Sequence, residues 1–133
     1  MIDAIDHVGI AVKDLDEAIH VYRDILGFKL EEVHTFNERM LKIAFFSLGE
    51  SRIELLQPLS TDGTVAKFLA TRGEGIQHLA VKVKNVEATI EEFKSKGVVL
   101  IDEKPRLGVG GNKIAFVHPK STRGVLLELV EKP

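Results

Sequence analysis

Two stretches of the chain repeat one another at a fixed offset of 71 residues, and this repeat constrains the fold more than any other feature. Ile5-Asp6-His7-Val8 recurs as Ile76-Gln77-His78-Leu79, and Lys42-Ile43-Ala44-Phe45 recurs unchanged as Lys113-Ile114-Ala115-Phe116. In the same register Gln57 falls opposite Glu128, so each copy offers a histidine and, 50 positions later (57 − 7 and 128 − 78), an oxygen donor. One copy supplies two ligands, too few to hold a transition metal well, whereas two copies face to face supply four. Units of about 65 residues are marginal alone, so the two copies are expected to share one folding unit.

Hydropathy periods assign the same order of elements to both copies. From Ile5 to Val12 apolar residues alternate as in a strand, with Val8, Ile10 and Val12 on one face and Ile5, His7, Gly9 and Ala11 on the other. Asp14 begins a helix, with Glu17 placed for a capping box, and Leu15, Ala18, Ile19, Tyr22, Ile25 and Leu26 trace one apolar stripe that Gly27 ends. Strands follow at Phe28 to Val33, Met40 to Leu48 and Arg52 to Gln57, giving a βαβββ module. The second copy predicts a strand at Ile76 to Val83, a helix capped by Asn85 and ending near Gly97, and strands at Val98 to Ile101, Lys113 to Val117 and Val125 to Val130. The expected organisation is therefore a single domain over 1–133, made of modules 1–58 and 75–133, with a linker 59–74 that carries a short helix at Thr64 to Thr71. The segment Lys104 to Asn112, with Pro105, Gly108, Gly110 and Gly111, departs most from the repeat. It lacks the Gly-Lys-Ser/Thr ending of a phosphate loop.

Composition removes several classes of function. Cysteine is absent, so a bound metal must be held by imidazole, carboxylate, amide or water. The net charge of −2, with no long basic run, gives no electrostatic footprint for a nucleic acid. No apolar run reaches the roughly 20 residues that cross a bilayer, and the start of the chain reads as no signal peptide, so a cytoplasmic location is expected, with no membrane partner.

A lone histidine on an apolar strand is ordinarily a packing residue. Two at equivalent strand positions, each followed by an amide or carboxylate on an equivalent later strand, point instead to metal ligands: His7, Gln57, His78 and Glu128. Parity makes the geometry explicit. If Gln57 faces the site, Ile53 and Leu55 share its face and Glu54 points away. Glu128 lies within Val125-Leu126-Leu127-Glu128-Leu129-Val130, where an unpaired carboxylate costs several kcal/mol unless a cation or partner meets it. Two imidazoles, an amide and one carboxylate suit one divalent Co, Mn, Ni, Zn or Fe ion, with positions open for substrate. His20 and His34 read as solvated, and His118, before Pro119, as a turn residue.

The tandem βαβββ pattern with these ligands resembles the vicinal-oxygen-chelate superfamily and, within it, the methylmalonyl-CoA epimerase family. The resemblance is carried by Ile-Asp-His at 5–7, Glu-Leu-Leu-Gln-Pro at 54–58, Thr-Val-Ala-Lys-Phe-Leu at 64–69, His-Leu-Ala at 78–80, Leu-Gly-Val-Gly-Gly-Asn-Lys at 107–113, His-Pro-Lys-Ser at 118–121 and Gly-Val-Leu-Leu-Glu-Leu at 124–129. It implies an α+β fold in which the modules form a curved, mostly antiparallel eight-stranded sheet around a metal-binding cleft. It also implies an isomerase of propionate metabolism that epimerises methylmalonyl-CoA by removing the C2 proton through a metal-stabilised enolate. Glu128 would be both ligand and proton-transfer group, and Lys42 or Ile43 stands where some members carry a second glutamate. Lys67, Lys113, Lys120 and Arg123 are candidate partners for the phosphates of an acyl-CoA substrate. The family further implies a homodimer. Bacterial glyoxalase I is similar but usually has glutamate where this alignment puts Gln57, so a glyoxalase is the second expectation. A metal-free small-molecule-binding module on the same fold is the third.

Overall fold

The computed structural model describes residues 2–133. Eight strands are hydrogen-bonded in the order β2-β3-β4-β1-β5-β8-β7-β6. They are β1 (Ile2–Ala11), β2 (Lys29–Phe36), β3 (Leu41–Leu48), β4 (Ser51–Pro58), β5 (Gly75–Val83), β6 (Arg106–Leu107), β7 (Lys113–Val117) and β8 (Leu127–Glu131), with helices α1 (Leu15–Ile19), α2 (Thr64–Arg72) and α3 (Val86–Ser95). The pairs β1–β4 and β5–β8 are parallel, while β2–β3, β3–β4, β6–β7 and β7–β8 are antiparallel. No helix among the described residues is long and apolar enough to cross a membrane.

The chain divides into two compact units, residues 7–77 and residues 2–6 with 78–133. The division differs from the expected modules, because β1 contributes its first residues to the second unit and the segment 59–74 belongs with the first. In the unit 7–77, β1 runs parallel to β4 and is reached through α1, β2 and β3. The core between sheet and helix is Val12, Leu15, Ile19, Ala44, Phe46 and Leu55, with Ile10, Tyr22, Phe28 and Ile53 packed against it. Asp14 caps α1 by accepting the Glu17 N–H at 3.0 Å. The apolar stripe expected through Leu26 does not persist. From His20 to Ile25 the helix widens into a π-helical segment, whose extra residue per turn rotates Ile25 and Leu26 outward, leaving them 66% and 56% exposed.

The unit of residues 2–6 and 78–133 repeats the plan. Asn85 caps α3 by accepting the Ala88 N–H at 2.8 Å, and Val86 and Ile90 pack on Val81, Val83, Ala115, Val117 and Leu129. The expected strand at Val98 to Ile101 is reduced to a single bridge, Leu100 to Val117. The cause is Asp102, whose Oδ2 accepts the Phe116 N–H at 2.8 Å and so takes the donor that a longer strand would use. The edge strand is instead β6, inside the glycine-rich loop, paired with the start of β7. Gly108 permits that pairing, since a Cβ there would lie 2.7 Å from the Cγ2 of Ile114.

Candidate metal and proton-transfer site

Residues paired across a sheet place their side chains on the same face, so the register decides which candidates can meet. In the unit 7–77, His7 pairs with Arg52, Gly9 with Glu54 and Ala11 with Leu56, while Phe45 pairs with Glu54 and Ile43 with Leu56. One face of this sheet therefore carries His7, Arg52, Glu54, Ile43 and Phe45. The other face carries Ile10, Ala44, Phe46, Ile53 and Leu55 and is covered by α1.

Gln57 and Lys42 pair with each other and lie on the α1 face. Gln57 Oε1 accepts the Leu15 N–H at 2.7 Å, satisfying a backbone donor that the first turn of α1 cannot satisfy itself. This corrects the expectation for both residues: His7 points to one side of the sheet, Gln57 and Lys42 to the other. Glu54, expected to point away, takes the position beside His7. Its carboxylate is buried, with Oε2 at 3.4 Å from His7 Nδ1 and 3.5 Å from an Arg52 guanidinium nitrogen. Arg52 also lies over the Phe45 ring, 4.9 Å from its centroid.

The second unit shows where the fixed offset fails. Ala80 and Phe116 both pair with Glu128, as Gly9 and Phe45 both pair with Glu54. The structural counterpart of Glu128 is thus Glu54, not Gln57. Nine positions separate Phe45 from Glu54 and twelve separate Phe116 from Glu128, so the second hairpin is three residues longer. The added length lies around the 3-10 turn Pro119–Ser121, held by the His118 side chain accepting the Lys120 N–H at 3.1 Å. Counting across the hairpins from the repeated Lys-Ile-Ala-Phe, with allowance for unequal turns, was the sequence signal for Glu54.

His78, Ala80, Ile114, Phe116, Glu128 and Val130 share the face away from α3. His78 Nε2 is 3.1 Å from Glu128 Oε1, both side chains are buried, and the His78 ring meets the Phe116 ring edge to face at 5.9 Å. Arg106 lies over the same Phe116 ring at 5.4 Å and is paired with Asp102 at 3.2 Å. His7, His78 and Glu128 are all buried and are of the residue types that could hold a metal ion. The donor chemistry fits: buried imidazoles and carboxylates among apolar strand residues are stabilised by a cation, and nitrogen and oxygen donors suit a divalent transition metal.

The lysine and arginine candidates lie elsewhere. Lys113 is on the α3 face and lines an open cavity of about 770 Å³ with Glu87, Ile90 and Lys94. Its ammonium is 3.2 Å from Glu87, and that hydrogen bond, aided by the charges of Glu87 and Glu131, holds its pKa above the ordinary lysine value. Lys67 is exposed on α2, and Lys120 and Arg123 are exposed between β7 and β8. His34 lies within β2, paired with Ile43 and therefore on the His7 face, exposed, its ring 4.6 Å from that of Phe36.

The chain is similar to known proteins along nearly its whole length. Human mitochondrial methylmalonyl-CoA epimerase is 36% identical over 126 residues, covering 94% of this chain and 72% of the relative. The crystal structure of methylmalonyl-CoA epimerase from Mycobacterium tuberculosis superposes with a TM-score of 0.91 at 40% identity, covering 99% of this chain and 89% of the other. A Streptomyces coelicolor methylmalonyl-CoA epimerase variant in complex with 2-nitronate-propionyl-CoA gives a TM-score of 0.91 at 36% identity, with full coverage of both chains. Residues 6–116 match the family description as well, and the chain belongs to the Glyoxalase/Bleomycin resistance protein/Dioxygenase superfamily.

Proposed function

We propose that the protein is a metal-dependent methylmalonyl-CoA epimerase whose ligands are His7, Glu54, His78 and Glu128. The observation that carries this reading is the equivalence of Glu54 and Glu128: each is a buried carboxylate at the same register position of its unit, within 3.4 Å and 3.1 Å of a histidine. When bound, the metal supplies Lewis-acid polarisation of a substrate carbonyl. The chain supplies the rest. The carbon to be inverted lies between a thioester carbonyl and a carboxylate, and inversion requires a proton to leave one face and return on the other. Glu128 is the proton-transfer group on one face, and Glu54, in place of Lys42, is its counterpart on the other. The apolar residues around them, Ile43, Phe45, Ile114 and Val130, keep water from competing for the carbanion. An acyl-CoA substrate, with Lys67, Lys120 or Arg123 meeting its phosphates, and a cytoplasmic homodimer belong to the same reading.

The test is exchange of the C2 proton of methylmalonyl-CoA in deuterated water, followed by mass spectrometry, with elemental analysis of the same sample. Exchange that a chelator abolishes and one divalent metal per chain are expected. A metal-loaded protein without exchange overturns the reading. A second reading is favoured by one observation: with Glu54 in place of Gln57, the donors become two histidines and two glutamates, the set expected of bacterial glyoxalase I. Consumption of the methylglyoxal–glutathione hemithioacetal, without C2 exchange, would select it.

A further inference from the structure

Arg52 is a cation on the His7 face that the proposed reaction does not yet use. It pairs directly with His7 across β1–β4, and its guanidinium lies between the Phe45 ring, at 4.9 Å, and Glu54 Oε2, at 3.5 Å. The contact with the Phe45 ring restrains the guanidinium, and the bond to Glu54 engages a single N–H at the long limit of a hydrogen bond, against five donors that an arginine carries. Its side chain is 30% exposed, so the remaining donors reach solvent beside a carboxylate that is buried. A metal ion on Glu54 draws on the same negative charge that holds Arg52, leaving the fork of donors for another anion.

Building on the epimerase reading, we propose that Arg52 is a specificity-determining residue that binds the free carboxylate of the substrate. A malonyl-type thioester brings that carboxylate next to the reacting carbon, so an arginine one residue pair from His7 lies at the right end of the molecule to receive it. The planar fork offers two parallel N–H donors to the two carboxylate oxygens, which an ammonium cannot do. A thioester without the carboxylate gains nothing from Arg52.

Equilibrium binding of methylmalonyl-CoA and propionyl-CoA to the metal-loaded protein, by calorimetry, tests this on wild type, Arg52→Gln and Arg52→Lys. Wild type should prefer methylmalonyl-CoA. Arg52→Gln should cut that preference by about tenfold or more, the size expected for a charged hydrogen bond, while propionyl-CoA binding and metal content hold. Arg52→Lys should fall between the two. An unchanged preference in Arg52→Gln overturns the assignment while leaving the epimerase reading standing. Equal loss of both ligands together with loss of metal also overturns it, because Arg52 would then act only through Glu54. Failure of the epimerase reading shows separately, as a wild-type protein that binds neither thioester and exchanges no C2 proton.

Discussion

The two units build the same local pattern from different parts of the chain. In residues 7–77 an arginine on β4 lies over Phe45 and is bonded to the site carboxylate Glu54 itself. In residues 78–133 the arginine over Phe116 comes from β6, within the glycine-rich loop, and its partner is Asp102 rather than Glu128. Histidine, glutamate and phenylalanine are set by strand register, which duplication preserves; the cation is set by whichever segment borders the phenylalanine, which has diverged. The two carboxylates therefore sit in equivalent backbone positions but unlike charge surroundings. That difference suits a reaction in which one group removes a proton and its counterpart returns it.

The largest expected effects come from neutralising each carboxylate in turn. Glu128→Gln and Glu54→Gln should each slow interconversion of the two epimers by about 10²-fold or more, the usual weight of a positioned acid or base. Each variant should also retain solvent exchange with one epimer only, and opposite ones. Retained exchange with the same epimer in both variants would break the equivalence of the two units. Gln57→Ala separates a ligand from a structural residue. It should leave metal content by elemental analysis unchanged and cost about 1 kcal/mol in urea unfolding, because the Leu15 N–H loses its acceptor.

Smaller effects compare the helices. Asp14→Ala and Asn85→Ala remove equivalent caps and should each cost about 1 kcal/mol in the same measurement, so a large inequality would show that the units differ in how α1 and α3 are anchored. The smallest effect concerns Asp24, in the π-helical segment that α3 lacks. Hydrogen bonds from Arg23 and then His20 lower its pKa to about 2. A carboxylate with a depressed folded-state pKa stabilises above its unfolded value and loses that contribution as pH falls through the folded one. Asp24→Asn should therefore lower the melting temperature slightly at neutral pH and not near pH 2, and added salt should shrink the difference, since the side chain is exposed to solvent.

Much of this architecture is legible from local pattern. Alternation of apolar residues places β1, β3, β4, β5, β7 and β8 within a few residues, and the capping residues Asp14 and Asn85 mark both helices that cover the sheet. The sixth strand is not legible in this way, because its pairing is not local. Asp102 occupies the Phe116 N–H from fourteen residues away, and the loop that pairs in its place reads as irregular chain. The π-helical segment was equally hidden, since a regular stripe and a widened turn share the same residues until the hydrogen bonds are known.

The sequence by itself determined the duplication, the strand positions of His7 and His78, and Glu128, because a lone carboxylate in an apolar run announces a buried charge that needs a partner. Only the tertiary structure decided that Glu54, and not Gln57, shares the His7 face of the sheet. Strand register is set by hairpin length and cross-strand hydrogen bonding; three added residues between β7 and β8 shift the count from 71 to 74 (128 − 54), and an odd shift on a strand with a period of two moves the side chain to the other face.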